Sequence, residues 1–307
     1  MIDKKFMSNV WSAAPTPYTE DWKIDEESIQ RLADHHYNMG VRGVFIGGTS
    51  GEGPWLTDDM RYRLAAATVK ANAGRIATAL QITDNSAERM IENLKKYTDS
   101  GIDMVVIAPP FFTLNLTQEY IYDMYAKVID ASRIPVGIYH RPGAQKVEAA
   151  TVAKLAELPK VVTVKDSVCT AEDTECLLAA RDALRSQKEF YAYYGNEFDC
   201  VTPALKKYDG MMVGGGCFNA RIVKAVFETA QSGRIEEAKA LQERLNNLMY
   251  DVFGGKDISC WLAGQKQILV ELGIFRTNKC IINYHLTEEC AANIKTAMAK
   301  EKEFLYD

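Results

Sequence analysis

The chain is poor in the features that would assign it to a metal, disulfide or membrane class. Its seven cysteines, at 169, 176, 200, 217, 260, 280 and 290, form no C-x-x-C pair and are odd in number. Scattered thiols exclude a disulfide framework and a cysteine-based zinc site, and point to a reducing cytoplasm. Four histidines include no H-E-x-x-H pair, so a protein-bound catalytic metal is not expected. No apolar run approaches the roughly eighteen residues of a membrane span, and the opening MIDKKFMSNVWSAAPTPY lacks the apolar centre of a signal peptide. Blocks of like charge never exceed three residues, and 36 basic against 41 acidic residues leave a net charge of −5. A nucleic-acid binder would carry a basic stripe, so neither nucleic acid nor a membrane is expected as a partner.

What the chain has is alternation. Apolar runs at Val10–Ala14, Gly43–Gly47, Ile76–Gln81, Met104–Ala108, Val136–Tyr139, Val161–Lys165, Phe190–Tyr194 and Met211–Gly214 read as buried strands. Helical periodicity fills Glu26–Asn38, Asp58–Asn72, Ala87–Asp99, Gln118–Ser132, Ala149–Leu158 and Thr170–Ser186. Gly40, Gly74 and Gly101 each stand where a helix would end before a strand. Eight strand–helix units predict a parallel sheet, and eight is the number that closes a (β/α)8 TIM barrel. An open doubly wound sheet is the alternative, but no G-x-G-x-x-G follows the first strand. From residue 234 only helical patterns occur, at Glu236–Val252, Trp261–Leu272 and Thr287–Phe304. The expected organisation is a barrel over residues 1–233 and a C-terminal helical extension over 234–307. Whether the apolar face of that extension meets its own barrel or another subunit is left open.

Barrel active sites lie at the C-terminal ends of the strands, which directs attention to three places. VVTVKDS ends the sixth strand on Lys165. Burial in a low dielectric favours a neutral amine, and a neutral amine can form a Schiff base with a carbonyl. The alternative is a lysine that reaches water or pairs with Asp166. Tyr139 ends the fifth strand, either as packing with a wet hydroxyl or as a proton shuttle. GGTSGE (47–52) follows the second strand. Its glycines let backbone approach a ligand, and Thr49 and Ser50 offer hydroxyl donors to a carboxylate. The same loop also reads as an ordinary connection into a helix capped by Thr57.

Together these pieces resemble the dihydrodipicolinate synthase / N-acetylneuraminate lyase family of Schiff-base-forming, pyruvate-dependent class I aldolases. The family's G-T/S-T/S-G-E signature stands as Gly48-Thr49-Ser50-Gly51-Glu52, its Y-N-x-P as Tyr139-His140-Arg141-Pro142, and its strand-end lysine as Lys165. The resemblance covers nearly the whole chain. It implies an imine between Lys165 and a 2-oxo acid, the carboxylate held by Thr49, Ser50 and their backbone amides from Gly48 onward, and Tyr139 as acid–base residue. It further implies a homotetramer, commonly a dimer of dimers, and no dissociable cofactor. The loops GNEFD (195–199) and GGGCFN (214–219) match places where lyases of the family hold a hydroxylated substrate, making Glu197, Gly214 and Gly215 substrate-binding candidates and Asn219 a weaker one. Glu197 also reads as a solvated loop carboxylate.

Three positions depart from the pattern. The family's dihydrodipicolinate-forming synthases carry an arginine two residues after the proline of Y-N-x-P, whereas Gly143, Ala144 and Gln145 follow Pro142, with Arg141 close by. Phe112 in PPFF stands where the family often has a relay tyrosine. His140 replaces the usual asparagine and is expected to contact substrate or to be a satisfied polar histidine. The expected function is a lyase or aldolase that cleaves or condenses a 2-oxo acid, sugar-acid-derived, with pyruvate as product or donor. The alternatives are a dihydrodipicolinate synthase-type condensation, a 2-keto-3-deoxy sugar-acid dehydratase and, from another class, a non-catalytic carboxylate-sensing barrel.

Overall fold

Eight parallel strands close on themselves in sequence order in the computed structural model, which describes residues 2–112, 116–143, 146–282 and 284–306. The strands are β1 (Asn9–Ala13), β2 (Gly43–Ile46), β3 (Ala77–Gln81), β4 (Met104–Ile107), β5 (Val136–His140), β6 (Val161–Asp166), β7 (Tyr191–Tyr194) and β8 (Gly210–Val213). Around them run α1 (Glu26–Asn38), α2 (Asp58–Asn72), α3 (Ala87–Thr98), α4 (Gln118–Ala131), α5 (Ala149–Ala156), α6 (Ala171–Leu184), α7 (Val201–Leu205) and α8 (Gly216–Gln231). The chain is a (β/α)8 barrel. β5 and β6 each run one residue past their expected ends because Tyr139↔Lys165 and His140↔Asp166 continue the ladder.

Local chemistry sets the joints. Thr57 and Thr170 accept from the N–H groups of Met60 and Asp173 at 3.2 and 3.1 Å, capping α2 and α6. Gly40, Gly74 and Gly101 sit at φ of 76°, 72° and 86°, the left-handed turn that ends a helix without a Cβ penalty. The pattern did not delimit α7 or α8. α7 has only five residues, and α8 carries buried residues from Gly216 through Ala230 with no narrow apolar stripe.

Strand alternation divides the core in two. Val10, Val44, Leu80, Val105, Ile138 and Val164 face the helices, while Trp11, Phe45, Ala79, Val106, Tyr139, Tyr193 and Met212 fill the barrel. The pairings, with one residue of stagger per strand, place Phe45, Val106, Lys165 and Met212 in one inner layer. Ala13, Gln81, Tyr139 and Gly195 form the layer above it, at the mouth. The lower end is closed by Met7 and by the Trp11 indole, which donates to Phe6 O at 2.8 Å.

After α8 the chain continues as α9 (Ile235–Phe253), α10 (Trp261–Glu271), α11 (Glu288–Lys300) and the short α12 (Lys302–Leu305). The apolar face of α9, with Leu245, Leu248, Met249, Val252 and Phe253 buried, packs on α8, α10 and α11 of the same chain. The open question about that face is answered within the subunit.

Candidate active site

Lys165 is carried inward by alternation from Thr163 and reaches the mouth with 6 % of its surface exposed. Its Nζ lies 4.5 Å from the Tyr139 ring centroid and 5.4 Å from that of Phe45. The Phe45 and Tyr139 rings meet edge to face at 5.8 Å. The ammonium is thus held against two π faces, a favourable contact for a cation largely withdrawn from water.

Tyr139 is the second reacting candidate. Burial pushes its phenol up, but the Lys165 ammonium, the Arg141 guanidinium and hydrogen bonds with Ser167 and Thr49 pull it down by more. The balance lies below the ordinary phenol value. Thr49 from the β2 loop, Arg141 from the β5 loop and Ser167 beyond β6 therefore converge on one hydroxyl.

The opposite rim is built from β7 and β8 loops. Glu197 Oε1 accepts from the Gly215 N–H at 2.7 Å, and burial raises its carboxyl above the usual range against the pull of Gly215 N–H and Lys165. Ser50 points at this rim: a Cβ on Gly214 would lie 3.2 Å from Ser50 Oγ and 3.7 Å from Glu197 Oε1. Gly195 is a close approach of another kind, since a Cβ there would stand 3.1 Å from Lys165 Cε and overlap Ser167 Oγ. Gly48 lies over the Phe45 ring, where a Cβ would sit 3.0 Å from an edge carbon. Glu197 is buried, which removes the reading of a solvated loop carboxylate.

His140 is corrected. It follows the inward Tyr139, so alternation turns its ring away from the mouth into the layer beneath the helices. Its Nδ1 lies 3.3 Å from Asp166 Oδ1 and its Nε2 3.0 Å from Val147 O, with 1 % exposure. Both nitrogens are engaged, and substrate contact is excluded by direction. Asp166 anchors this network, accepting also from the Tyr208 hydroxyl at 2.8 Å and from the N–H groups of Val168 and Cys169 at 3.1 Å. Burial raises its carboxyl, but His140, the Cys169 N–H and Tyr208 bring it below the usual value. Asp166 thus faces away from Lys165, and the proposed lysine–aspartate pairing is not formed. Asn219 is buried beside Gly215, where a Cβ on that glycine would meet its amide nitrogen, and neither amide atom is partnered. Ala144 and Gln145 lie outside the described residues.

Four contributors went unread in the sequence. Ser167 and Phe45 share the inward parity of Lys165 and Thr49's strand, a signal available from alternation alone. Gln81 has the inward parity of Ala77 and Ala79, is 4 % exposed and leaves Oε1 without a partner. Gly195 carries no side chain to announce it. Among the described residues no group of three or more His, Cys, Asp or Glu is gathered to hold a metal ion, and no helix is long and apolar enough to cross a membrane.

A strand-end amine against a tyrosine, faced by a hydroxyl loop at the C-terminal mouth of a barrel, is the constellation of the class I aldolase-type lyases. The chain belongs to the dihydrodipicolinate synthetase family, whose model matches residues 6–295. It is 28 % identical over 243 residues to the 4-hydroxy-tetrahydrodipicolinate synthase of Laribacter hongkongensis, covering 78 % of this chain and 81 % of that protein. The synthase of the same name from Oceanobacillus iheyensis is 25 % identical over 247 residues, covering 80 % and 81 %. Among solved structures, dihydrodipicolinate synthase from Thermotoga maritima superposes with a TM-score of 0.86 at 21 % identity, covering 98 % of this chain and 100 % of that one. N-acetylneuraminate lyase from Fusobacterium nucleatum gives 0.83 at 21 % identity, with the same coverage.

Proposed function

We propose that the protein is a Schiff-base-forming lyase or aldolase that cleaves or condenses a 2-oxo acid, with pyruvate as product or donor and no cofactor beyond the imine on Lys165. The observation that carries this reading is the placement of the Lys165 amine 4.5 Å from the ring centroid of a Tyr139 whose phenol lies below its ordinary value. In this reading the amine adds to the C2 carbonyl, and loss of water gives an imine. The protonated imine withdraws electrons, so breaking C3–C4 leaves an enamine in place of a bare carbanion; run backwards, the enamine attacks an aldehyde. Tyr139 transfers protons at the carbinolamine and at the substrate hydroxyl. Thr49 and Ser50, with the backbone at Gly48, hold the carboxylate, and Arg141 adds positive charge beside Tyr139. Glu197, Gly214 and Gly215 face the remainder of the substrate, where the buried carboxyl suits a hydroxylated, sugar-acid-derived chain.

Borohydride reduction in the presence of pyruvate tests this directly. A reduced pyruvyl group on Lys165, found by peptide mass spectrometry and absent from Lys165→Ala, is the expected result. Its absence from the wild-type protein refutes the reading, and a carboxylate-sensing barrel would keep its ligand response in Lys165→Ala.

Synthase-type condensation is the second reading, favoured by the names of the relatives in Laribacter and Oceanobacillus. Against it stands the absence of an arginine at Gly143 to Gln145. Assaying pyruvate consumption with aspartate semialdehyde, beside pyruvate release from a panel of 2-keto-3-deoxy acids, separates the two. Loss of water without aldehyde release on that panel would identify a dehydratase. We further propose a cytoplasmic homotetramer. Seven free thiols suit a reducing compartment. The aromatic side chains of Trp55, Phe112 and Tyr120 are 49 %, 73 % and 54 % exposed and suit a subunit contact. Sedimentation at micromolar concentration reads the subunit number.

A further inference from the structure

The two glycine-rich loops at the mouth are gripped from outside the barrel by consecutive residues of α10. Gln265 Nε2 donates to Gly214 O at 2.6 Å, and Gln265 is fully buried. Lys266 forms an ion pair with Glu52, the last residue of GGTSGE, and both side chains are 0 % exposed. Lys266 also donates to Lys279 O at 2.6 Å and lies 4.4 Å from the Tyr18 ring centroid. The second oxygen of Glu52 accepts from the N–H groups of Ile281 and, at 3.2 Å, Ile282. Glu52 stands at φ 55°, a strained left-handed conformation for a residue with a side chain. A buried carboxylate and ammonium are tolerated only when each finds further hydrogen bonds, and the segment from Lys279 to Ile282 supplies them.

The two grips act on opposite sides of one gap. Glu52 belongs to the loop of Thr49 and Ser50, Gly214 to the loop facing Ser50 Oγ, and adjacent α10 residues fix one loop each. We propose that Gln265 and Lys266 are positioning residues, and that α10 is a strap setting the spacing between the β2 and β8 loops at which Thr49 and Ser50 bind the carboxylate of a 2-oxo acid. The kinetic consequence rests on the imine reaction proposed above; the mechanical one does not.

The test uses Gln265→Leu and Lys266→Met in the full chain. Lys165 is trapped by borohydride across a range of pyruvate concentrations and, separately, with acetone, a ketone without a carboxylate. Gln265→Leu should raise the half-saturating pyruvate concentration by about three- to tenfold, the effect of one buried hydrogen bond, and Lys266→Met, which breaks a buried ion pair, by at least as much. Acetone trapping and the rate at saturating pyruvate should stay within about twofold of wild type. Unchanged half-saturation, or an equal loss with acetone, overturns the proposal. Amide hydrogen exchange reads the strap without chemistry, since residues 213–216 should exchange faster in Gln265→Leu and residues 47–53 in Lys266→Met. Unchanged exchange in those loops also overturns it. If wild-type protein forms no adduct, the imine reading fails while exchange still decides the strap. If Lys266→Met does not fold, Gln265→Leu and the shortened Gln265→Asn carry the test, because neither strands a buried charge.

Discussion

Replacing Gly195 by Ala should damage the chemistry more than the fold. A Cβ at this position overlaps Ser167 Oγ, stands 2.9 Å from Asp166 O and 3.1 Å from Lys165 Cε. The serine can rotate away, but it then loses the hydrogen bond with Tyr139. The Asp166 carbonyl cannot rotate, since it accepts from Gly195 N at 2.6 Å as part of the β6–β7 junction. Lys165 must yield by a few tenths of an ångström to reach ordinary contact. Overpacking of this kind costs about 1–3 kcal/mol of stability, a fall of a few degrees in Tm for a chain of this size. The effect on reaction is larger: a misplacement of about 1 Å costs on the order of a hundredfold, so a shift of a few tenths together with the lost Ser167–Tyr139 bond should slow trapping by about tenfold. Borohydride trapping with pyruvate, beside a thermal melt, measures both. Trapping within about twofold of wild type would refute the placement of Gly195 against the amine.

The other perturbations concern titrating groups. Tyr139→Phe should lower turnover by about 10²- to 10⁴-fold, the usual contribution of a positioned proton-transfer group. The wild-type pH profile should fall as pH rises through the depressed phenol value, because the proton for carbinolamine dehydration is lost there; this limb should vanish in the variant. Glu197→Gln tests a raised carboxyl. The folded state keeps a proton that the unfolded chain releases near pH 4.3, so stability from this group falls as pH rises past that point. The variant should therefore melt higher than wild type at pH 7 and equally at pH 3.5, and the same gap at both would contradict the assignment. Asp166 is the opposite case, with a lowered folded value. Its stabilisation is present above about pH 4 and lost as pH falls through the folded value. Asp166→Ala, which strands His140 Nδ1 and the N–H groups of Val168 and Cys169 and leaves the Tyr208 hydroxyl with Thr174 alone, should lose at least about 3 kcal/mol at pH 7 by chemical denaturation. The deficit should shrink at pH 3.

What could be read from the chain was whatever a one-dimensional period encodes. Strand and helix alternation determined the barrel because each unit must bury its apolar face on its neighbours, and Lys165 was visible as a charge ending an apolar run. Glu197 and Ser50 were visible only as residue types in loops; their convergence on Gly214 depends on barrel closure, which pairs β8 with β1 and so brings it one strand from β2. His140 was misdirected by its adjacency to Tyr139. In a strand, neighbours in sequence face opposite sides, so the residue after an inward tyrosine belongs to the helix-facing layer and has to find partners there. The same rule, applied forward from Lys165, reaches Ser167, and applied from Ala79 it reaches Gln81. Gln265 and Lys266 had no such signal. On a helix pattern a buried Lys–Gln pair interrupts the apolar stripe and reads as surface, and only the folded chain shows Lys266 meeting a carboxylate more than two hundred residues earlier. Alternation therefore locates the groups that face the reaction, while the groups that hold them in place come from contacts no local period can encode.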